Sequence, residues 1–365
     1  MDNICDGLRF IDSFNTQVRS LPVCIQFLHT IDNSIIPNEI VKNKLLHWSV
    51  LNEESNNFYK YSNGKLTNNS KPTTAYNHYI QLLVDLGLID KQNTLLKTTK
   101  IAKVLLALTS EIHNYSFPFS NIQKAFIFYI LLIKDADGLI LILDFLKKNP
   151  NSSQQIIINN FKDILLQRLQ IKKENSFGIV RSKISEKYLK IDINWTKSEK
   201  YAEHLIPPRL EWLEQLEIIS IDKSSNSQRC RLTSQGNSII NNLIEYENIH
   251  DVNNFWLENN FSKSIIPFLK ISKKLRSWNN QIQVLEQSLL KLFNTFGLDE
   301  AYRIPLNFAK LYLLLDIFII NGISIEMSQI IELFDKNLVF GKISYYIKTS
   351  PRETESYITM RINND

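Results

Sequence analysis

Residues 198–246 read SEKYAEHLIPPRLEWLEQLEIISIDKSSNSQRCRLTSQGNSIINNLIEY. Apolar residues at helical spacing end in the phrase Trp212-Leu213-x-x-Leu216-x-Ile218-Ile219. The isoleucines from Ile218 to Ile221 predict a short strand, and Asp222 to Gln228 a polar tip. Arg229 to Leu232 then reads as a return strand, and Thr233-x-x-Gly236 opens a further helix over about Ser234 to Glu245. Ahead of this, Ser198 has the side chain and position of an N-cap. Pro207-Pro208 predicts a kink or restart, because an interior proline removes a backbone donor and crowds the preceding turn. One helix is expected before that pair and a second from Pro208.

The same phrase occurs earlier in the chain. Leu83-x-x-Leu86-Gly87-Leu88-Ile89 repeats Leu213-x-x-Leu216-Glu217-Ile218-Ile219, and Thr98-x-x-Ile101 stands where the later copy has Thr233-x-x-Gly236. Val104-Leu105 then matches Ile239-Ile240. The gap of 15 residues from Leu83 to Thr98 against 20 from Leu213 to Thr233 predicts a second ribbon five residues longer. Helix, two-stranded ribbon and helix form the second half of a winged helix-turn-helix, with the first helix facing a groove and the ribbon as wing. Two copies in one chain predict tandem winged helices. The expected fold class is therefore mainly α with small β-hairpin wings, in tandem winged helix-turn-helix domains. Any helix–hairpin–helix produces this pattern, and winged helices also serve as protein-docking modules; DNA contact is the expectation over docking alone.

A chain of 365 residues has room for two or three domains. Its 9 glycines and 10 prolines argue against an all-β fold and against glycine-rich phosphate-binding loops. Against 42 Lys and Arg stand 37 Asp and Glu, so the net charge of +5 permits a nucleic-acid partner without demanding one. Cys5, Cys24 and Cys230 are too few and too far apart for a disulfide framework or a zinc site. The acidic start MDNICDGLRF lacks a signal-peptide core. The apolar run Ala125 to Ile133 is cut off by Lys134, Asp135 and Asp137, well short of the roughly 20 residues that a membrane span needs. A cytoplasmic, soluble protein is expected.

In chain order, helices are predicted over Leu21 to Ile31, from Pro37-Asn38-Glu39 to about Trp48, and over Pro72 to Leu86. Asn33 to Pro37 is a break and Asn52 to Lys71 a polar loop. Tyr76, Tyr79, Ile80, Leu83 and Leu86 form the buried side of the third helix. Its exposed side and entry hold Lys71, Thr73, Thr74, Asn77, His78 and Gln81, donors and acceptors of the kinds that reach phosphates and base edges. A solvated helix face has the same composition. The first wing runs from Leu88 to Lys97 and a closing helix from Thr98 to Leu108. Asn121 to Ile133 is apolar all round and reads as a buried spine, broken at Asp137-Gly138 and resumed over Leu139 to Lys148. Ser152 to Lys173 is amphipathic. The stretch from there to Trp195 reads as a long loop with a short helix around Ile184 to Leu189.

The second unit adds Lys197, Lys200 and His204 before its proline pair, and Lys223, Asn226, Gln228, Arg229 and Arg231 on its wing, as candidate DNA contacts. Beyond Tyr246, aromatics such as Phe255, Trp256, Phe261, Phe268 and Trp278 interleave with a basic run. Lys273, Lys274 and Arg276 in that run either reach a nucleic-acid backbone or form the solvated face of a helix that packs by its aromatics. Helices over Gln281 to Phe296, Leu306 to Asn321, Glu326 to Phe334 and Lys336 to Lys348, a polar tip at 350–355 and a strand from Tyr357 to Ile362 make a candidate third winged unit. The expected domains are 1–118, 119–250 (helical spine plus second winged helix) and 251–365.

The six histidines show no metal-binding spacing, and no phosphate-binding or nucleophile motif is present. No clustered carboxylates suited to holding Mg²⁺ at a phosphodiester were found. The expectation is a non-enzyme without cofactor or metal.

Residues 18–246, with Leu86-Gly87-Leu88-Ile89, Asn194-Trp195…Ser198-x-Lys200-Tyr201-Ala202, Trp212-Leu213-x-x-Leu216 and Leu232-Thr233-x-x-Gly236, resemble the DNA-recognition region of the FokI type IIS restriction endonucleases. That region consists of successive winged-helix subdomains. The chain departs from the family by ending where a nuclease domain would follow, so neither cleavage nor any base-reading residue carries over. The resemblance implies binding to double-stranded DNA within a restriction or phage-defence system, with catalysis supplied by a protein partner. The competing reading is a winged-helix accessory subunit of an SMC-like ATPase.

Overall fold

The computed structural model describes residues 7–13, 15–54, 64–109, 119–222, 228–245, 248–249, 252–268, 275–278, 281–296, 303–334, 338–348 and 356–362. It is mainly helical, with thirteen α-helices and sheets of two to four strands among the described residues. The chain forms two compact units, one from Met1–Thr99 and Ser116–Trp256, the other from Lys100–Tyr115 and Leu257–Asp365.

The first unit opens with α1 (Leu21–Ile31), capped by the Ser20 hydroxyl on the Val23 N–H. The expected break holds a strand, β1 (Ile35–Pro37), and Pro37 turns it into α2 (Asn38–Leu51). Within the expected polar loop lies a hairpin of β2 (Thr67–Asn68) and β3 (Lys71–Pro72). Asn69 and Ser70 at its tip both have positive φ, the geometry of a type I′ turn. Then come α3 (Ala75–Asp85), β4 (Ile89–Gln92) and β5 (Leu95–Thr98). The sheet order is β1-β5-β4. After this ribbon, α4 (Lys100–Thr109) belongs to the second unit.

The first unit resumes with α5 (Asn121–Lys148), β6 (Ser152–Ser153), α6 (Gln154–Glu174), α7 (Gly178–Asn194) and α8 (Ser198–Gln215). A ribbon of β7 (Ile219–Asp222) and β8 (Arg229–Leu232) and the helix α9 (Ser234–Leu243) complete it. Here the sheet order is β6-β8-β7, with β6 in the place of β1.

Four expectations in this stretch need correction. Asp137-Gly138 does not break the spine: α5 continues through it, and only Asp135 (φ −138°, ψ 21°) leaves helical geometry. Gly138 is there because a Cβ would lie 2.5 Å from Nε of Arg209. The expected long loop is mostly α7, whose 17 residues bury only Ile184 and Ile191. Two apolar contacts two turns apart leave almost no periodic signal. Ser198 is the first residue of α8, with Lys197 at the N-cap position. Finally, α8 runs straight through Pro207 and Pro208. The carbonyls that lose their donors belong to Glu203 and His204, both exposed, where solvent can take them.

The kink in α5 is the polar centre of the first unit. Asp135 accepts a fork of hydrogen bonds from Arg209 (Nε–Oδ2 2.8 Å, Nη2–Oδ1 2.6 Å), and both side chains are fully buried. Asp137 accepts from Arg168 Nε (3.1 Å) and Lys172 Nζ (2.7 Å). The same carboxylates take the backbone N–H groups of Ile11 and Arg9, so the lead-in before α1 is clamped across the kink. Burial alone would raise the Asp137 carboxyl, but Lys172 and Arg168 outweigh it and hold it below its ordinary value. At Asp135 burial wins over Arg209, and the shift is upward.

The remaining elements are β9 (Ile244–Glu245), β10 (Asn248–Ile249), α10 (Asn254–Ile265), β11 (Arg276–Ser277), α11 (Ile282–Phe296), β12 (Arg303–Pro305) and α12 (Leu306–Leu314), which ends in a π-helical turn, Leu315–Ile320. They are followed by β13 (Ile323–Ser324), α13 (Met327–Phe334), β14 (Leu338–Phe340), β15 (Ile343–Lys348) and β16 (Tyr357–Ile362), with sheet order β12-β16-β15-β14. The helix expected over Lys336 to Lys348 is thus, where described, two strands turning at Gly341 (φ +56°). Its Ile-Ser-Tyr-Tyr-Ile run is β-branched and aromatic, and a glycine at positive φ suits a hairpin better than a helix interior. No helix among the described residues is long and apolar enough to cross a membrane.

Candidate nucleic-acid interface

The two ribbons are entered and closed by the same hydrogen bonds. Leu88 N–H bonds Leu83 O at 2.8 Å and Gly87 N–H bonds Val84 O at 2.9 Å; Ile218 to Leu213 and Glu217 to Glu214 repeat both distances. Each helix therefore ends in a Schellman motif, with Gly87 (φ +68°) and Glu217 (φ +61°) in the left-handed position. At the far end the N–H of Thr99 bonds Leu88 O as that of Thr233 bonds Ile218 O, and each hydroxyl also donates to the turn. The structural counterpart of Thr233 is thus Thr99, not Thr98, and Ala102 rather than Ile101 corresponds in register to Gly236. The ribbon segments differ by four residues rather than five.

On α3 the division of faces is the expected one. Tyr76, Tyr79, Ile80, Leu83 and the following Leu86 are buried, with Phe27 lying 5.4 and 5.9 Å from the two tyrosine rings. Burial and the charge of Glu39 raise the Tyr76 hydroxyl, which donates to Asn38. Asn77 and Gln81 are exposed one turn apart, and Gln81 donates to Asp85 Oδ1 at 2.8 Å. His78 is half-buried. Lys71 is exposed on β3. Thr74 is exposed at the N-cap position of α3, its hydroxyl bonding Gln17 Oε1 at 2.8 Å. Thr73 faces inward: its hydroxyl donates to Lys65 O and accepts from Ala75 N–H, tying the hairpin to the helix.

Helix α8 does not offer the groove-facing surface expected of it. Lys197, Lys200 and His204 are exposed around its first turns, but Leu205 to Leu213 are buried without exception. Aligning Leu213 with Leu83 puts Pro207 and Glu211 where α3 has Asn77 and Gln81. The lead-in to α1 covers that face. Arg19 pairs with Glu211, Trp212 Nε1 donates to Val18 O (2.8 Å), and Gln215 bonds the backbone of Arg19 and Leu21. Of the ribbon, Gln228, Arg229 and Arg231 are exposed. Arg229 stands opposite Asp222 and Arg231 opposite Ser220, to which its Nε donates at 3.0 Å. Cys230 between them points inward, its thiol pushed up to about 12 by burial and by Glu214. Lys223 and Asn226 lie outside the described residues, as do Lys273 and Lys274. In the second unit Arg276 is exposed and donates to Asn321 O at 2.9 Å.

Two candidates from different repeats share a cleft. His78 of α3 and His204 of α8 line one cleft of about 480 Å³, together with Lys190 and Asn194 of α7, Trp195 and Tyr201. Trp195 and Tyr201 stack with ring centres 5.3 Å apart and planes at 6°. Lys190 and Asn194 were missed because their helix read as loop. Among the described residues no group of three or more His, Cys, Asp or Glu is placed to hold a metal ion. Compared with family models, curated proteins and solved structures, the chain matches none.

Proposed function

We propose that this protein is a double-stranded-DNA-binding recognition subunit without catalytic activity of its own, built from winged-helix modules. It acts in a restriction or phage-defence system whose catalytic step a protein partner supplies, as the likeness to FokI-type recognition regions implies. One observation carries the reading. A short strand, helices and a two-stranded ribbon recur with the short strand paired to the ribbon's second strand in β1-β5-β4 and β6-β8-β7, and again in β12-β16-β15-β14, where a fourth strand, β14, is added at the edge. Such pairing supports a winged helix-turn-helix, and the exposed outer face of α3 suits a recognition helix. In this reading Asn77 and Gln81 read base edges, while Lys71, Arg229 and Arg231 hold phosphates.

Fluorescence anisotropy with a random-sequence duplex, beside duplexes selected from a random library by the wild-type protein, tests it. Binding should weaken with salt, with a log–log slope of about −0.9 per phosphate contacted. Arg229→Glu with Arg231→Glu should weaken binding to every sequence and flatten that slope. Asn77→Ala or Gln81→Ala should relax sequence preference by about 1–3 kcal/mol per lost base contact. Unchanged binding in both sets rejects the surface assignment. Co-purification with a coiled-coil ATPase, with sequence-indifferent binding, rejects the restriction role.

A further inference from the structure

The sheet of the second unit has a face to which that reading gives no role. In β15 and β16 the register sets Ser344 opposite Arg361, Tyr346 opposite Thr359 and Lys348 opposite Tyr357, and β12 adds Arg303 beside Thr359. Alternation along the strands sends these side chains to one face. Tyr345, Ile304 and Ile358 go to the other and are buried. On the first face Arg303, Lys348 and Arg361 are exposed, Tyr346 and Tyr357 are half-buried and Thr359 between them is buried, while Val339 on the edge strand is 58% exposed. Arg361 Cζ lies 4.8 Å from the centre of the Tyr346 ring and Arg303 Cζ 4.9 Å from that of Tyr357. None of the four strands contains an Asp or Glu.

Three cations without a neighbouring carboxylate in their strands favour a polyanion. The tyrosines narrow its kind. A guanidinium centred 4.8–4.9 Å from the middle of an aromatic ring can stack on it and offer its other face to a base, and an ammonium has no such plane. Tyr346 and Tyr357 are diagonal neighbours on paired strands, about 7–8 Å apart. That exceeds the roughly 3.4 Å rise of a stacked strand, so the two platforms suit bases splayed from one another. A duplex buries its base faces and would use the charges alone. We infer that this sheet face binds single-stranded nucleic acid, with Arg361 on Tyr346 and Arg303 on Tyr357 as base platforms and Lys348 on the backbone. The site does not depend on the duplex-binding reading.

The test is anisotropy of the full chain with a fluorescein-labelled oligothymidylate, beside a duplex of equal length. The wild-type protein should bind the single strand with a slope of about −0.7 per phosphate contacted. Arg303→Gln with Arg361→Gln should weaken it more than about tenfold, from lost stacking and lost charge together. Both positions are exposed, and an unchanged thermal melt confirms the fold. Arg361→Lys should keep the slope but lose affinity. Undiminished single-strand affinity in the double variant overturns the site. So does a wild-type preference for duplex that falls with the same substitutions. If Arg361→Lys binds like wild type, the stacking platform is overturned. Failure of duplex binding alone bears on the proposed function and not on this face.

Discussion

At the scale of single residues, the two Schellman turns set different side chains at one backbone angle. Glycine accepts φ near +65° freely, whereas a glutamate there costs about 1–2 kcal/mol. Glu217 is held by Lys124, 2.8 Å away, whose side chain is only 6% exposed. Glu217→Gly relieves the backbone but leaves a nearly buried ammonium without this carboxylate. We expect a lower urea midpoint for that variant, and recovery when Lys124→Met is added. A higher midpoint for the single variant would mean that backbone strain outweighs the ion pair. Gly236 is constrained by contact instead. A methyl there would sit 1.9 Å from the carbonyl oxygen of Ile218, and backbone cannot yield as a side-chain tip does. Gly236→Ala should cost about 1–3 kcal/mol, read as a fall in urea midpoint at constant m-value. A midpoint within error of wild type would show that the ribbon and α9 separate easily.

At the scale of elements, α5 depends on its ion cluster. Removing one partner of a buried pair leaves an uncompensated charge and costs about 3–5 kcal/mol. Asp135→Asn should therefore unfold the first unit at markedly lower denaturant, while Asp144→Asn, on the same helix in an ion pair with the exposed Lys148, should lose well under about 1 kcal/mol. Equal losses would place the stability of α5 in its apolar packing. This cluster also marks how far the sequence could be read. The bounds of α1 and β8 and nearly those of α11 follow from periodicity and turn residues, and so does the exposed edge of α3. Strands of two or three residues such as β1, β6 and β12 carry no period at all. The covering of α8 was illegible for another reason. Arg19 and Glu211 are 192 residues apart, and nothing local to either shows that they meet. Asp135 and Asp137 looked like a helix break for the same reason: Arg168, Lys172 and Arg209 come from distant helices.

At the scale of the whole molecule, chain order and compact units do not coincide. Helix α4 follows the first ribbon in sequence but belongs to the second unit, where it packs with α12. Its Ala102, Val104, Leu105 and Leu106 are buried. A fragment of residues 1–256 contains α4 but not α12, so that apolar face loses its cover. Burying a Val or Leu side chain contributes roughly 1.5–3 kcal/mol, so the exposed stripe would be a strong site for self-association. We expect this fragment to bind a hydrophobic dye and to sediment as oligomers, and co-expression with residues 257–365 to suppress both. A monomeric fragment that leaves the dye dark would show that α4 folds back onto the first unit. In that event the second unit, not the first, is the part that needs α4 to stand.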